Sequence, residues 1–220
     1  MKQYGLLLPF LFLQGCNDTE IDSVKSLVYG YDQSLNVGNM LDHRTICNSA
    51  NWTQSTDKMG RKVVEYKCEL KGVKDYSTLQ KSAEIKGHES SKAYTQHLMD
   101  GLSLPVNDII SQDNKEKMRK RFQMDLSKLD TDIHNTQSLP LGERAVQVLQ
   151  WSLVQNQKPV LMNAYFDIKN DDGSEYKYTA SNSASIDSIM RLSYDNQITN
   201  YAQLVRMNSY SSLIPKWPFH

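Results

Sequence analysis

Arg61-Lys62-Val63-Val64-Glu65-Tyr66-Lys67-Cys68-Glu69-Leu70 is the stretch on which the fold turns. Val64, Tyr66, Cys68 and Leu70 share one face of an extended chain while Glu65, Lys67 and Glu69 share the other, the period of two that marks a half-buried strand. Asp57-Lys58-Met59-Gly60 supplies a turn just before it. A hairpin therefore closes near Gly60, its first strand running back through Trp52 toward Cys47. The same alternation returns over 160–169, where Val160, Met162, Ala164, Phe166 and Ile168 recur at every second position. An apolar segment over 146–154 and the turn Asn156-Gln157-Lys158-Pro159 precede it; the turn Asn170-Asp171-Asp172-Gly173 and a strand over 175–180 follow. Three strands joined by tight turns make an antiparallel meander.

Helical spacing occupies the rest. Leu35, Val37, Met40 and Leu41 fit a two-turn helix, and residues 88–101 fit a longer one. After Pro105 a third helix is predicted over 107–129, with Met118, Phe122, Leu126 and Leu129 on one face. Residues 186–192 and 198–207 add elements whose type the pattern leaves open. The predicted class is α+β, an antiparallel sheet with packed helices.

The amino terminus carries an address. Met1-Lys2 precedes the apolar run Leu6-Leu7-Leu8-Pro9-Phe10-Leu11-Phe12-Leu13, far shorter than the ~20 residues that span a bilayer, and Leu13-Gln14-Gly15-Cys16 closes it. The segment resembles a bacterial lipoprotein signal. That resemblance implies cleavage after residue 15, lipidation of Cys16, and delivery to the periplasm; Asn17 after the cysteine favours the outer over the inner membrane. Residues 16–26, polar and without sustained periodicity, are expected to form a lipidated tether, and 27–220 a periplasmic body of one domain or of two small lobes near 27–86 and 87–220.

An oxidising compartment changes how the other two cysteines read. Cys47 and Cys68 lie 21 positions apart, and a disulfide between them is predicted, buried free thiols being the alternative. A second resemblance covers 29–71, where Val37-Gly38, Trp52, Gly60-Arg61 and Val63-Val64-Glu65-Tyr66 look like a small domain recurrent in enterobacterial lipoproteins. It implies a helix followed by an antiparallel hairpin and brings no catalytic residues.

With 25 basic and 25 acidic side chains the chain is neutral, so no overall charge draws it to nucleic acid, and none is expected as a partner. The search for chemistry is mostly negative. His43, His88, His97, His134 and His220 are scattered without metal-ligand spacing. Gly101-Leu102-Ser103-Leu104-Pro105 begins like a hydrolase nucleophile elbow but puts proline where the second glycine belongs. The acidic loop over 167–175 lacks the alternating ligands and distal glutamate of a calcium loop and reads as a hairpin turn. No enzyme, cofactor or metal is expected.

Two features suit binding. Lys115, Lys117, Arg119, Lys120 and Arg121 crowd five cations into seven residues, either a solvated helix face or a docking site for an acidic partner or lipid headgroups. The tail residues Trp217 and Phe219 either strap across the chain's own core or anchor another protein. A tethered periplasmic body with binding surfaces resembles the immunity lipoproteins paired with type VI secretion phospholipases. The resemblance implies inhibition of a secreted effector by occlusion of its active site. The alternative is a stationary subunit of an envelope secretion or conjugation machine.

Overall fold

A computed structural model describes residues 19–104, 109–207 and 213–219. The two elements of the hairpin form as the alternation demands, β1 over Cys47–Thr56 and β2 over Lys62–Leu70, with the left-handed Gly60 (φ 77°) at the turn. Strands β3 (Gly142–Leu153), β4 (Val160–Asn170) and β5 (Glu175–Thr179) follow, and all five pair antiparallel in the order β1-β2-β3-β4-β5. The acidic loop is a hairpin turn: the backbone N–H and hydroxyl of Ser174 both donate to Asp172, and Gly173 has a φ of 86°. The disulfide links Cys47 to Cys68.

One face of this sheet makes the core. Val64, Tyr66, Leu149, Trp151, Phe166 and Ile168 meet apolar residues from four short helices: α1 (Thr19–Lys25), α2 (Val37–Asp42), α5 (Ser183–Ser193) and α6 (Tyr201–Met207). The two segments of open type are thus helices, each entered through an asparagine: Asn182 accepts from Ser185 N, and Asn200 from Gln203 N. Polar pins cross the layer. Tyr66 donates to the Leu41 carbonyl at 2.8 Å, and the buried Arg44 guanidinium donates to Gln147 at 2.7 Å, which in turn donates to Ser193.

Two boundary expectations need correction. The segment 16–26 is not wholly a tether, because residues 19–25 are helical and Val24 is fully buried. Ile21 and Val24 lie three apart and form a stripe too short for periodicity to register, while Gly38, whose absent Cβ would sit 2.9 Å from Lys25 Cβ, lets α2 approach. Nor are there two lobes. β2 and β3 pair from Lys62↔Leu153 to Glu69↔Val146, so one sheet joins residues on both sides of the proposed division.

Between β2 and β3 stand two long helices, α3 over Val73–Gly101 and α4 over Gln112–Ser138. Helix α3 begins fifteen residues before the expected 88, because Val73 and Tyr76 dock on the body and start it. The expected start of α4 at Asn107 lies outside the described residues, as does Cys16. No described helix is long and apolar enough to cross a membrane.

Candidate functional site

The α3–α4 pair is an arm. Val73, Tyr76 and Ser77 are the buried residues within α3, and all three sit in its first two turns against the body. Ser77 donates to the Gly142 carbonyl and Lys81 to the Leu139 carbonyl, closing the arm's base. Beyond it, at 1.5 Å per residue, the 24 steps from Ser77 to Gly101 carry the pair outward by roughly 36 Å.

What holds the arm together is a seam at heptad spacing. The less exposed positions of α3 beyond the base are Ile85, His88, Lys92, Thr95 and Met99, continued by Leu102; those of α4, besides Lys115 and Asp132, are Arg119, Phe122, Leu126, Leu129, Ile133 and Thr136. Steps of three and four alternate in both, the 3.5-residue period of a two-stranded coiled coil. The α4 side is mostly apolar, as its sequence predicted. The α3 side is not, and Lys92 reaches across to Asp130 at 2.5 Å.

The distal end is apolar and open. Leu104 is 54 % and Ile109 94 % exposed, beside a hollow of about 250 Å³ lined by Leu98, Leu102, Ile110, Met118 and Phe122. The predicted basic cluster rises just behind this tip, but not on one face. Lys115 is only 4 % exposed and Arg119, one turn on, borders the seam and donates to Ser103. Lys117 and Lys120 point outward, each paired one turn back with Asp113 at 2.6 Å and Glu116 at 3.7 Å, and Arg121 is exposed. The five-cation docking face is therefore corrected to an outward group of Lys117, Lys120 and Arg121. At 100° per residue, seven consecutive positions wrap almost twice around a helix and cannot share one side.

Trp217 and Phe219 are corrected too, as surface anchors. Trp217 is 7 % and Phe219 3 % exposed; the indole donates to the Pro140 carbonyl at 2.9 Å, and the Phe219 ring lies on Gly142. The tail straps the core at the base of the arm.

A second surface was not foreseen beyond its β2 row. The face of the sheet opposite the core carries Glu65 at the centre of a network: Lys67 pairs with it at 2.6 Å, Gln150 donates at 2.6 Å and Tyr165 at 3.4 Å. Burial by itself would raise the Glu65 pKa, but the bonds from Lys67 and Gln150 outweigh it and hold the carboxyl below its ordinary value. Burial, with Glu65 and Asp167 nearby, pushes the Tyr165 hydroxyl up to about 12, and Lys177 covers its ring at 3.6 Å. Alongside runs a groove of about 430 Å³ lined by Lys67, Arg144, Asp167, Lys169, Glu175 and Lys177. The predicted meander pairs β3 with β4, but only the further pairing of β2 with β3 sets Glu65 beside Gln150.

Because the folded Glu65 pKa is depressed, its contribution to stability is present above the ordinary carboxylate range and lost as pH falls through the folded value. Glu65→Gln is expected to cost about 1 kcal/mol at neutral pH, with the deficit closing in acid. Melting temperatures between neutral pH and pH 3 check this; parallel curves for the two proteins would overturn it.

Among the described residues, no three His, Cys, Asp or Glu side chains lie close enough to hold a metal, and His88 faces Glu84 at 3.8 Å. What the surfaces offer is an apolar tip with flanking cations and a grooved, hydrogen-bonding sheet face. No family model, curated protein or solved structure matches this chain.

Proposed function

We propose that the chain is a lipid-anchored periplasmic inhibitor, tethered through Cys16, that occludes the active site of a cognate secreted effector such as a phospholipase. The observation that carries this reading is the arm: roughly 36 Å of paired helix, held mainly by its own seam, ending in exposed Leu104 and Ile109. An exposed apolar tip on a rigid support marks an interaction site, and inserting it into a groove blocks that groove without chemistry of its own. An enzyme that admits acyl chains has such a groove. The geometry also suits a tether. Helix α1 sits at the Lys62 end of β2, through the ion pair of Glu20 with Lys62, whereas the arm leaves from the Leu70 end, where Ser77 meets Gly142. The tip is thus carried at the end of the sheet opposite the anchor.

One feature favours a second reading. Among the described residues β1 pairs with β2 alone and leaves a ten-residue outer edge, which would suit a stationary subunit of an envelope secretion or conjugation machine through strand addition.

Affinity capture from the native envelope with the full-length chain tests both. The expected catch is one secreted hydrolase, bound one to one and inhibited on rebinding. Leu104→Asp with Ile109→Asp should weaken that complex by about tenfold or more without moving the melting temperature. Lys117→Glu with Lys120→Glu should slow its formation and reduce its dependence on salt. Recovery of channel or assembly subunits alone, or undiminished capture by the tip variant, would overturn the inhibitor reading.

A further inference from the structure

The end of the sheet remote from the arm has a composition that the core does not require. Two turns meet there, residues 57–61 between β1 and β2 and residues 154–159 between β3 and β4, because Lys62 pairs with Leu153 and Ser152 with Val160. Helix α1 lies against both, since Glu20 and Ser23 line one hollow with Gly60, Lys62, Val154 and Pro159. Met59 is 72 % exposed on one turn and Val154 47 % on the other, with Val160, 60 % exposed, at the start of β4, so each turn presents an apolar side chain to solvent.

Cations surround them. Arg61 is matched by Asp57 at 2.7 Å, and Lys62 by Glu20. Lys58 and Lys158, one on each turn, are exposed and make no ion pair among the described residues. On the two turns Lys58, Arg61 and Lys158 outnumber Asp57, and apolar side chains flanked by surplus cations are the pattern that lies at a bilayer interface, apolar groups reaching the acyl boundary and cations meeting anionic headgroups. Position adds an independent argument, which rests on the lipid-anchor reading above. Cys16 is three residues before Thr19, and three residues span at most roughly 11 Å. An acylated Cys16 therefore brings the bilayer within reach of this end, which α1 borders.

We infer that the two turns at this end of the sheet, Met59 and Val154 with Lys58 and Lys158, form a docking surface for an anionic lipid bilayer, which stands the body upright and holds the arm away from the membrane. The lipid anchor sets proximity; the docking surface sets orientation. An anchor without it would let the body tumble on its tether.

The test uses full-length acylated protein in vesicles of phosphatidylethanolamine and phosphatidylglycerol, part of whose acyl chains are brominated. Met59→Cys and, separately, Ile109→Cys carry an environment-sensitive fluorophore, the native cysteines being acylated or disulfide-bonded. The label at 59 is expected to be quenched about threefold or more beyond the label at 109, with Lys58→Glu and Lys158→Glu together, or high salt, reducing the difference. Equal quenching at the two positions on acylated protein would overturn the docking surface alone. An unacylated Cys16 by mass spectrometry would overturn the anchor reading and this inference with it.

Discussion

Trp217→Ala is expected to lower the melting temperature by roughly 10 °C or more, corresponding to about 3 to 5 kcal/mol in a chain of this size. The indole is 7 % exposed and donates to the Pro140 carbonyl at 2.9 Å, while the Trp217 backbone meets the Tyr76 hydroxyl. Truncation would empty a large volume where the tail, α3 and the entry to β3 converge. It would also leave the part-buried Pro140 carbonyl without its indole donor. Phe219 stands in the same packing: its ring covers Gly142, where even a Cβ would come within 2.3 Å of the ring edge, and it meets Tyr201 edge-on at 6.3 Å. Trp217→Phe should lose about 1 kcal/mol, the hydrogen bond without most of the volume. Thermal unfolding followed by circular dichroism separates the alternatives. A shift of the Ala variant within about 2 °C of the parent would mean that the tail is a surface feature, free to bind elsewhere.

Removing the disulfide is the second large effect. Cys47 opens β1 and Cys68 lies in β2, 21 positions on, so the bond encloses the whole β1–β2 hairpin. Closing a loop of that length constrains the unfolded chain and contributes about 3 kcal/mol in the chain-entropy model. Cys47→Ala with Cys68→Ala is expected to melt roughly 6 to 12 °C lower and to be insensitive to reductant, whereas the parent should fall to a similar value once reduced. Denaturant unfolding with and without reductant checks this. Two alkylatable thiols in the native parent protein would refute the bond outright. Because Cys68 is fully buried in the core cluster, the alanine variant also leaves a small void there; agreement between reduced parent and double variant separates the cross-link from that void.

Much of this molecule was legible before its structure. Strands β2 and β4 are written in a period of two, and the three turns at 57–60, 156–159 and 170–173 in turn residues, signals that act over a few to ten positions and need no distant partner. The apolar row Phe122, Leu126 and Leu129 likewise announced one side of the arm. Of the candidate site, the cations were found but their arrangement was not. Lys115 and Arg119 stand one turn apart and turn toward the seam, leaving Lys117, Lys120 and Arg121 outside. The α3 half escaped because its seam holds His88, Lys92 and Thr95, polar residues that carry no hydrophobic period. The outward sheet face escaped because Glu65, Gln150 and Tyr165 are far apart in the chain and meet only through strand register.

By itself, then, the sequence determined the local elements: alternating strands, their turns, an amphipathic α4 and the cysteine spacing that a hairpin can close. Tertiary structure alone decided that Val24 in a seeming tether enters the core, that Trp217 and Phe219 are packed inward, and that α3 and α4 stand off the body with an apolar tip. The physical reason is one of range. Backbone sterics and side-chain period act between neighbours in the chain, but which apolar face is covered, and which is left for something else, depends on residues that only the closed sheet and its packed helices bring together.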